Sequence, residues 1–133
     1  LKEDIKFIKN YIELMRIRYT DDVDISFNYP QRLQGRINIP PLIFIVFVEN
    51  AFKHGIARKK RSYIHIDIAI EDDSVVARFE NSLSQNSSSK GGGVGLDNVS
   101  RRLEHIYGDR YTLDIVRNSD SYCVTLKVPI ENE

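Results

Sequence analysis

Tyr63-Ile64-His65-Ile66-Asp67-Ile68-Ala69-Ile70, then Glu71-Asp72-Asp73-Ser74, then Val75-Val76-Ala77-Arg78-Phe79 is the stretch that decides the fold. Isoleucine occupies every even position from 64 to 70, with His, Asp and Ala between. Side chains two apart share one face of a strand, so this alternation specifies strands with a single buried face. The acidic tetrapeptide between the two runs is short and polar, which makes the pair a β-hairpin. A hairpin with one apolar face needs a second layer to cover it.

Downstream, 81–93 gathers Ser, Asn, Gln, Lys and Gly with almost nothing apolar and reads as a mobile loop. Leu96, Val99, Leu103 and Ile106 return to helical spacing, and Gly108 closes that segment. Residues 111–116 and 122–128 alternate again around Asn118-Ser119-Asp120-Ser121, and Pro129 ends the last strand.

Upstream, Ile5, Ile8, Ile12, Met15 and Tyr19 alternate spacings of three and four, which predicts a helix over 2–19. Its seam either faces the domain core or continues an upstream dimeric coiled coil. Residues 23–29 alternate as a strand, 30–35 hold turn residues, and a short extended piece is expected at 37–39. The continuous apolar run at 42–48 could be a buried strand. Pro40 and Pro41 at its entrance, its extension through Lys53 and Gly55 as a stop favour a helix. Together the elements predict an α+β two-layer sandwich, a mixed and mostly antiparallel sheet with helices on one face.

At 133 residues the chain fits one domain, and its 41% apolar and 29% charged content is that of a globular protein. Lys plus Arg and Asp plus Glu number 19 each, so no global field draws the chain to nucleic acid or an anionic membrane. An anion site must then be local. The single Cys123 cannot form an internal disulfide, and its place in an alternating run suggests a buried inert thiol in a reducing environment. No apolar run reaches the roughly 20 residues of a membrane span. Leu1 begins without methionine inside a helical pattern, so the chain is expected to be a fragment of a longer protein.

Two segments place polar residues where packing alone would not. Glu49, Asn50, Lys53 and His54 directly follow seven apolar residues, forming two adjacent polar rows at one end of a helix. Either the helix emerges into solvent there, or amide and carboxylate oxygens serve Mg²⁺ while ammonium and imidazole face phosphates. Gly91-Gly92-Gly93-Val94-Gly95-Leu96 leads into the next helix. Such a run is either a plain linker or a phosphate cradle, in which backbone amides approach oxygens unobstructed at a helix N-terminus.

In combination and order, Glu-Asn-Ala-Phe-Lys-His-Gly at 49–55, Gly-Val-Gly-Leu-Asp-Asn-Val at 93–99 and Arg-Arg-Leu at 101–103 resemble the catalytic domain of sensor histidine kinases of the LytS type. The opening helix with Tyr11, Arg18 and Tyr19 and the last strand before Pro129 fit too, so the resemblance covers nearly the whole chain. It implies a Bergerat-type ATP fold of the GHKL class, with ATP and Mg²⁺ as ligands. Residues 1–20 would then lead from an absent dimerisation and phosphoacceptor segment, and 21–133 would form the ATP-binding domain.

By that resemblance Asn50 is the Mg²⁺ ligand, Glu49 a water-organising or basic partner, and Lys53 and His54 face phosphates. Gly91, Gly93, Val94, Gly95 and Leu96 wrap the β- and γ-phosphates, while Asn98 and Arg102 steady the lid helix. The family context implies a cytoplasmic domain of an inner-membrane sensor, homodimeric in full length, with a cognate response regulator and no nucleic-acid partner. His54, His65 and His105 do not sit in a phosphoacceptor helix, so this chain alone is not expected to autophosphorylate.

Two positions depart from the family pattern. Where relatives carry an Asp that accepts from the adenine amino group, followed by a glycine turn, this chain reads Glu80-Asn81-Ser82, making Asn81 a neutral acceptor. Where the last strand usually opens Gly-Thr, it reads Ser121-Tyr122. These departures support an alternative, a nucleotide-free module of the same fold acting in dimerisation or partner binding. Another ATPase of this fold, gyrase-like or chaperone-like, would carry additional domains and a different lid.

Overall fold

A computed structural model describes residues 1–18, 23–31, 37, 39–40, 42–55, 62–83 and 93–130. Its elements follow in the order α1 (Lys2–Arg18), β1 (Val23–Asn28), α2 (Phe44–Gly55), β2 (Ser62–Glu71), β3 (Ser74–Ser82), α3 (Gly93–Tyr107), β4 (Thr112–Arg117) and β5 (Ser121–Pro129). The strands form one sheet in the order β1-β2-β3-β5-β4. Only β1 and β2 run parallel; the other three pairings are antiparallel. Parallel neighbours require a crossover, and α2 is that crossover, which is what lays it on one face of the sheet.

The alternation in the deciding stretch sorts the two faces. Ile64, Ile66 and Ile68 of β2, Val75, Ala77 and Phe79 of β3, and Val124, Leu126 and Val128 of β5 are buried beneath the helices. Phe79 stacks on Phe47 of α2 at 5.2 Å between ring centroids and lies 6.4 Å from Phe44. Ile5, Ile8 and Ile12 of α1 and Val99, Leu103 and Tyr107 of α3 complete the core. Ile5, Ile8 and Ile12 therefore face the domain itself, not a coiled-coil partner.

The opposite face is open and carries a polar lattice. Asn28 Nδ2 donates to Asp67 Oδ1 at 2.8 Å, and His65 pairs with Asp24 at 3.2 Å. Tyr63 Oη donates to Glu80 Oε2 and Arg78 Nη2 to Glu80 Oε1, both at 2.9 Å. Cys123 lies on this face too, half-buried, accepting from Arg78 Nε at 3.2 Å. The expectation of a buried thiol is corrected: its position in β5 alternates away from Val124, out of the core.

Several boundaries differ from the sequence reading for local reasons. Leu42 takes a φ of 63° and α2 starts only at Phe44, so Pro40 precedes a turn and does not sit in the first helical turn; Pro41 lies outside the described residues. Gly55 is the last residue of α2, not a stop beyond it. Asn81 and Ser82 extend β3 and Gly93 opens α3, so the polar loop is shorter than 81–93, and 84–92 lie outside the described residues. Ile37 and Ile39 join no strand, and Tyr19 and Asn38 are not described. Gly108 ends α3 as expected: at φ 66° its N–H donates to the Glu104 carbonyl at 2.8 Å, a left-handed cap that glycine adopts without strain.

Candidate functional site

Register decides which polar side chains can meet. Asn81 of β3 pairs with Ile64 of β2 on one side and Tyr122 of β5 on the other, and Tyr122 pairs in turn with Arg117 of β4. Directly paired residues share a face, so Asn81, Tyr122 and Arg117 form one row on the helix-covered side, at the end of the sheet where the apolar rows stop. Among the described residues Asn81 and Ser62 are the two buried polar residues.

Asn81 is 1% exposed, and its Nδ2 donates to the Ser82 carbonyl at 2.8 Å. Among the described residues its amide oxygen accepts no hydrogen bond. A buried amide normally finds partners for both ends, so an acceptor left open at the edge of the core is a position where a ligand donor would be received. Tyr122 is half-buried beside it. Burial pushes its phenol above the ordinary tyrosine range, with Arg117 pulling weakly the other way.

The polar end of α2 comes to the same face. Buried Phe47, Val48, Ala51 and Phe52 anchor the helix on β2 and β3, which leaves Asn50 half-buried at the margin and Glu49 and Lys53 exposed. Asn50 thus borders the core on the face that also carries Asn81, while Glu49 and Lys53 share a row one turn apart. His54 continues the helix, but its side chain lies outside the described residues.

The glycine segment is placed in part. Gly91 is outside the described residues; Gly93, Val94 and Gly95 form the first turn of α3, with their side-chain surroundings not described. Leu96 is partly buried and packs on the core, whereas Asn98 and Arg102 are exposed along the helix. The first turn of α3 therefore presents free backbone N–H groups and the positive end of its dipole, as an anion site requires. Among the described residues no three His, Cys, Asp or Glu side chains cluster to hold a metal by themselves. An amide oxygen with ligand phosphates is a donor set that suits Mg²⁺, which rarely takes an all-protein cage.

Arg117 was not singled out by sequence. Nothing in the alternation of β4 marks it, because only the β4–β5 register puts it opposite Tyr122.

The architecture is the fold of histidine kinase catalytic domains. The fold matches the nucleotide-free catalytic domain of the histidine kinase ThkA with a TM-score of 0.69 at 14% identity, over 97% of this chain and 91% of that one. It matches full-length ShkA, solved in complex with AMPPNP, with a TM-score of 0.67 at 16% identity, over 95% of this chain and 30% of that one.

In sequence, the chain is similar over its whole length to two named sensors. It is 25% identical over 146 residues to the sensor protein LytS of Staphylococcus saprophyticus, covering 99% of this chain and 24% of that protein. It is 25% identical over 144 residues to the sensor histidine kinase BtsS of Escherichia coli, covering 100% and 24%. The chain thus spans about a quarter of the length of these curated relatives. No family model matches it. The homology supports a kinase-domain role, and no described helix is long and apolar enough to cross a membrane.

Proposed function

We propose that this chain is the ATP-binding domain of a sensor histidine kinase and that it supplies the γ-phosphoryl group of ATP to a histidine on a segment outside this chain. The observation that carries the reading is Asn81: a buried carboxamide whose oxygen accepts no hydrogen bond among the described residues, on the face that also bears Asn50. Its oxygen would accept from the adenine amino group. Asn50 would ligate Mg²⁺, with Glu49 orienting water beside it. Lys53 and His54 would meet phosphate oxygens as point charges, and the N–H groups of Gly93, Val94 and Gly95, with Gly91 and Leu96 flanking, would receive the terminal phosphates. Asn98 and Arg102 would steady α3.

When bound, Mg²⁺ supplies charge neutralisation at the β- and γ-oxygens. The protein's own work is positioning: holding the nucleotide by its base at Asn81 and by its phosphates at α2 and α3 so that the terminal phosphorus faces outward. In the longer protein this reading implies a cytoplasmic domain of a membrane sensor, a homodimer and a response regulator as the next acceptor.

Tyr122 favours a second reading. A half-buried ring next to Asn81, where the family pattern usually has threonine, would occupy the space of the base and leave a module that binds a protein partner without nucleotide. Calorimetric titration of the chain with a Mg²⁺-ATP analogue separates the two. Saturable binding that Asn50→Ala abolishes, with the thermal transition unchanged, supports the kinase reading; no heat from the wild-type chain overturns it.

A further inference from the structure

At the end of the sheet away from Asn81, part of β2 has a free edge. Glu71 and Ser74 close the β2–β3 hairpin as a hydrogen-bonded pair, and bonding alternates along a strand. Ile68 and Ile70 therefore turn their N–H and C=O away from β3, into the lane of β1. That lane ends early: β1 pairs with β2 only as far as Asn28 opposite Asp67, and Pro30 has no N–H with which to reach the Ile68 carbonyl. Among the described residues no strand continues beside 68–70. A cavity of about 700 Å³ lies against this free edge. Tyr29 and Pro30 line it where β1 leaves off, Ile37, Ile70 and Ile130 give it apolar surface, and Asp67, Asp72 and Asp73 bring three carboxylates to it.

We propose that this slot takes an extended peptide segment of a partner protein, alternately apolar and basic, which adds to β2 as a short strand in the lane that β1 leaves empty. The open backbone groups select a strand, the isoleucines select apolar side chains on one of its faces, and the carboxylates select Lys or Arg. Residues 68–71 span about 13 Å, enough for a segment of roughly four residues. The charge is free to be used. Neither Asp72 nor Asp73 makes an ion pair or a side-chain hydrogen bond among the described residues, and no Lys or Arg lines the cavity. Asp67 is already engaged, since its Oδ1 accepts from Asn28 Nδ2 at 2.8 Å and Arg78 stands opposite it on β3. Arg78 itself donates to Glu80 and Cys123, so the two turn carboxylates carry most of the attraction.

From Ser74 to Asn81 β3 rises about 23 Å, so the slot and the nucleotide site can be tested apart. The probe is an end-blocked Val-Lys-Val-Lys-Val peptide, titrated into the isotopically labelled chain and followed by amide NMR. Saturable shifts should appear at 68–73, and the Ile70 amide should exchange more slowly with the peptide bound. Asp72→Asn together with Asp73→Asn should weaken binding about fivefold. The thermal transition and the titration with a Mg²⁺-ATP analogue should not move, because neither side chain has a partner to lose and Asn tolerates the φ of 51° at position 72. Val-Glu-Val-Glu-Val should not bind, and neither should the lysine peptide with its amides N-methylated. No saturation at millimolar lysine peptide, equal binding of the glutamate peptide, indifference to N-methylation or shifts that avoid 68–73 would each overturn the proposal. Shifts at 68–73 that follow the concentration of the chain alone would make a second copy the occupant and overturn it as well.

Discussion

Two substitutions at Asn81 should separate binding from folding, and the structure supplies the magnitudes. The side chain is 1% exposed, donates to the Ser82 carbonyl at 2.8 Å and, among the described residues, accepts no hydrogen bond at its oxygen. In Asn81→Ala the nucleotide loses one neutral hydrogen bond, about 1 kcal/mol, so affinity should fall about fivefold. The fold loses a donor to the part-buried Ser82 carbonyl, about 1 kcal/mol, since water can reach that oxygen. In Asn81→Asp the effects oppose each other. A carboxylate accepts roughly twice as strongly as an amide, so nucleotide affinity should rise a few-fold. The fold, however, must bury a charge and set an acceptor against the Ser82 carbonyl.

Burial should raise the pKa of that new carboxyl above its unfolded value of about 3.9. Between the two values the folded state holds a proton that the unfolded state has released. The stabilising proton is fully present below about pH 4 and is lost as the pH rises through the folded pKa, so the variant should weaken relative to wild type in that window. Calorimetry with a Mg²⁺-ATP analogue near pH 7 and thermal unfolding across the acidic range read the two effects separately. Affinity untouched by both substitutions would refute the base-recognition role, and an Asp variant that gains stability with rising pH relative to wild type would refute the buried placement.

Tyr122→Thr removes the ring and should tighten nucleotide binding if the ring crowds the base; weaker binding in a competition titration would mean that the ring contacts the base favourably. Phe79→Ala empties a site stacked on Phe47 and should cost about 3–5 kcal/mol in denaturant unfolding, a large share of the roughly 5–15 kcal/mol that holds a domain together. Gly108→Ala meets no atom within 4 Å of the new Cβ, so any loss in thermal stability comes from its φ of 66° and should be about 1 kcal/mol; no loss would mean that α3 can end in another way.

The periodic elements were legible because burial on one face writes itself into local spacing. Alternating isoleucines define β2, the three-and-four spacing defines α1 and α3, and Gly108 marks an end that only a left-handed residue makes. Boundaries were less legible where the chain obeys packing instead of propensity: Leu42 turns at positive φ so that Phe44 and Phe47 reach Phe79, and β3 runs on through Asn81 because β2 and β5 offer it partners. The candidate residues on α2 and at the glycine segment were visible as polar groups out of place in an apolar context.

Sequence alone determined the class of fold, the kind of most elements and the residue types available for chemistry, because periodicity and composition depend on neighbours a few positions apart. Tertiary structure decided which of them meet. Asn81 became a buried acceptor beside Tyr122 and Arg117, and Cys123 moved to the open face next to Arg78, through contacts between residues up to 45 positions apart. A one-residue slip in any pairing would exchange the two faces of the sheet, so the site exists only once the register is set.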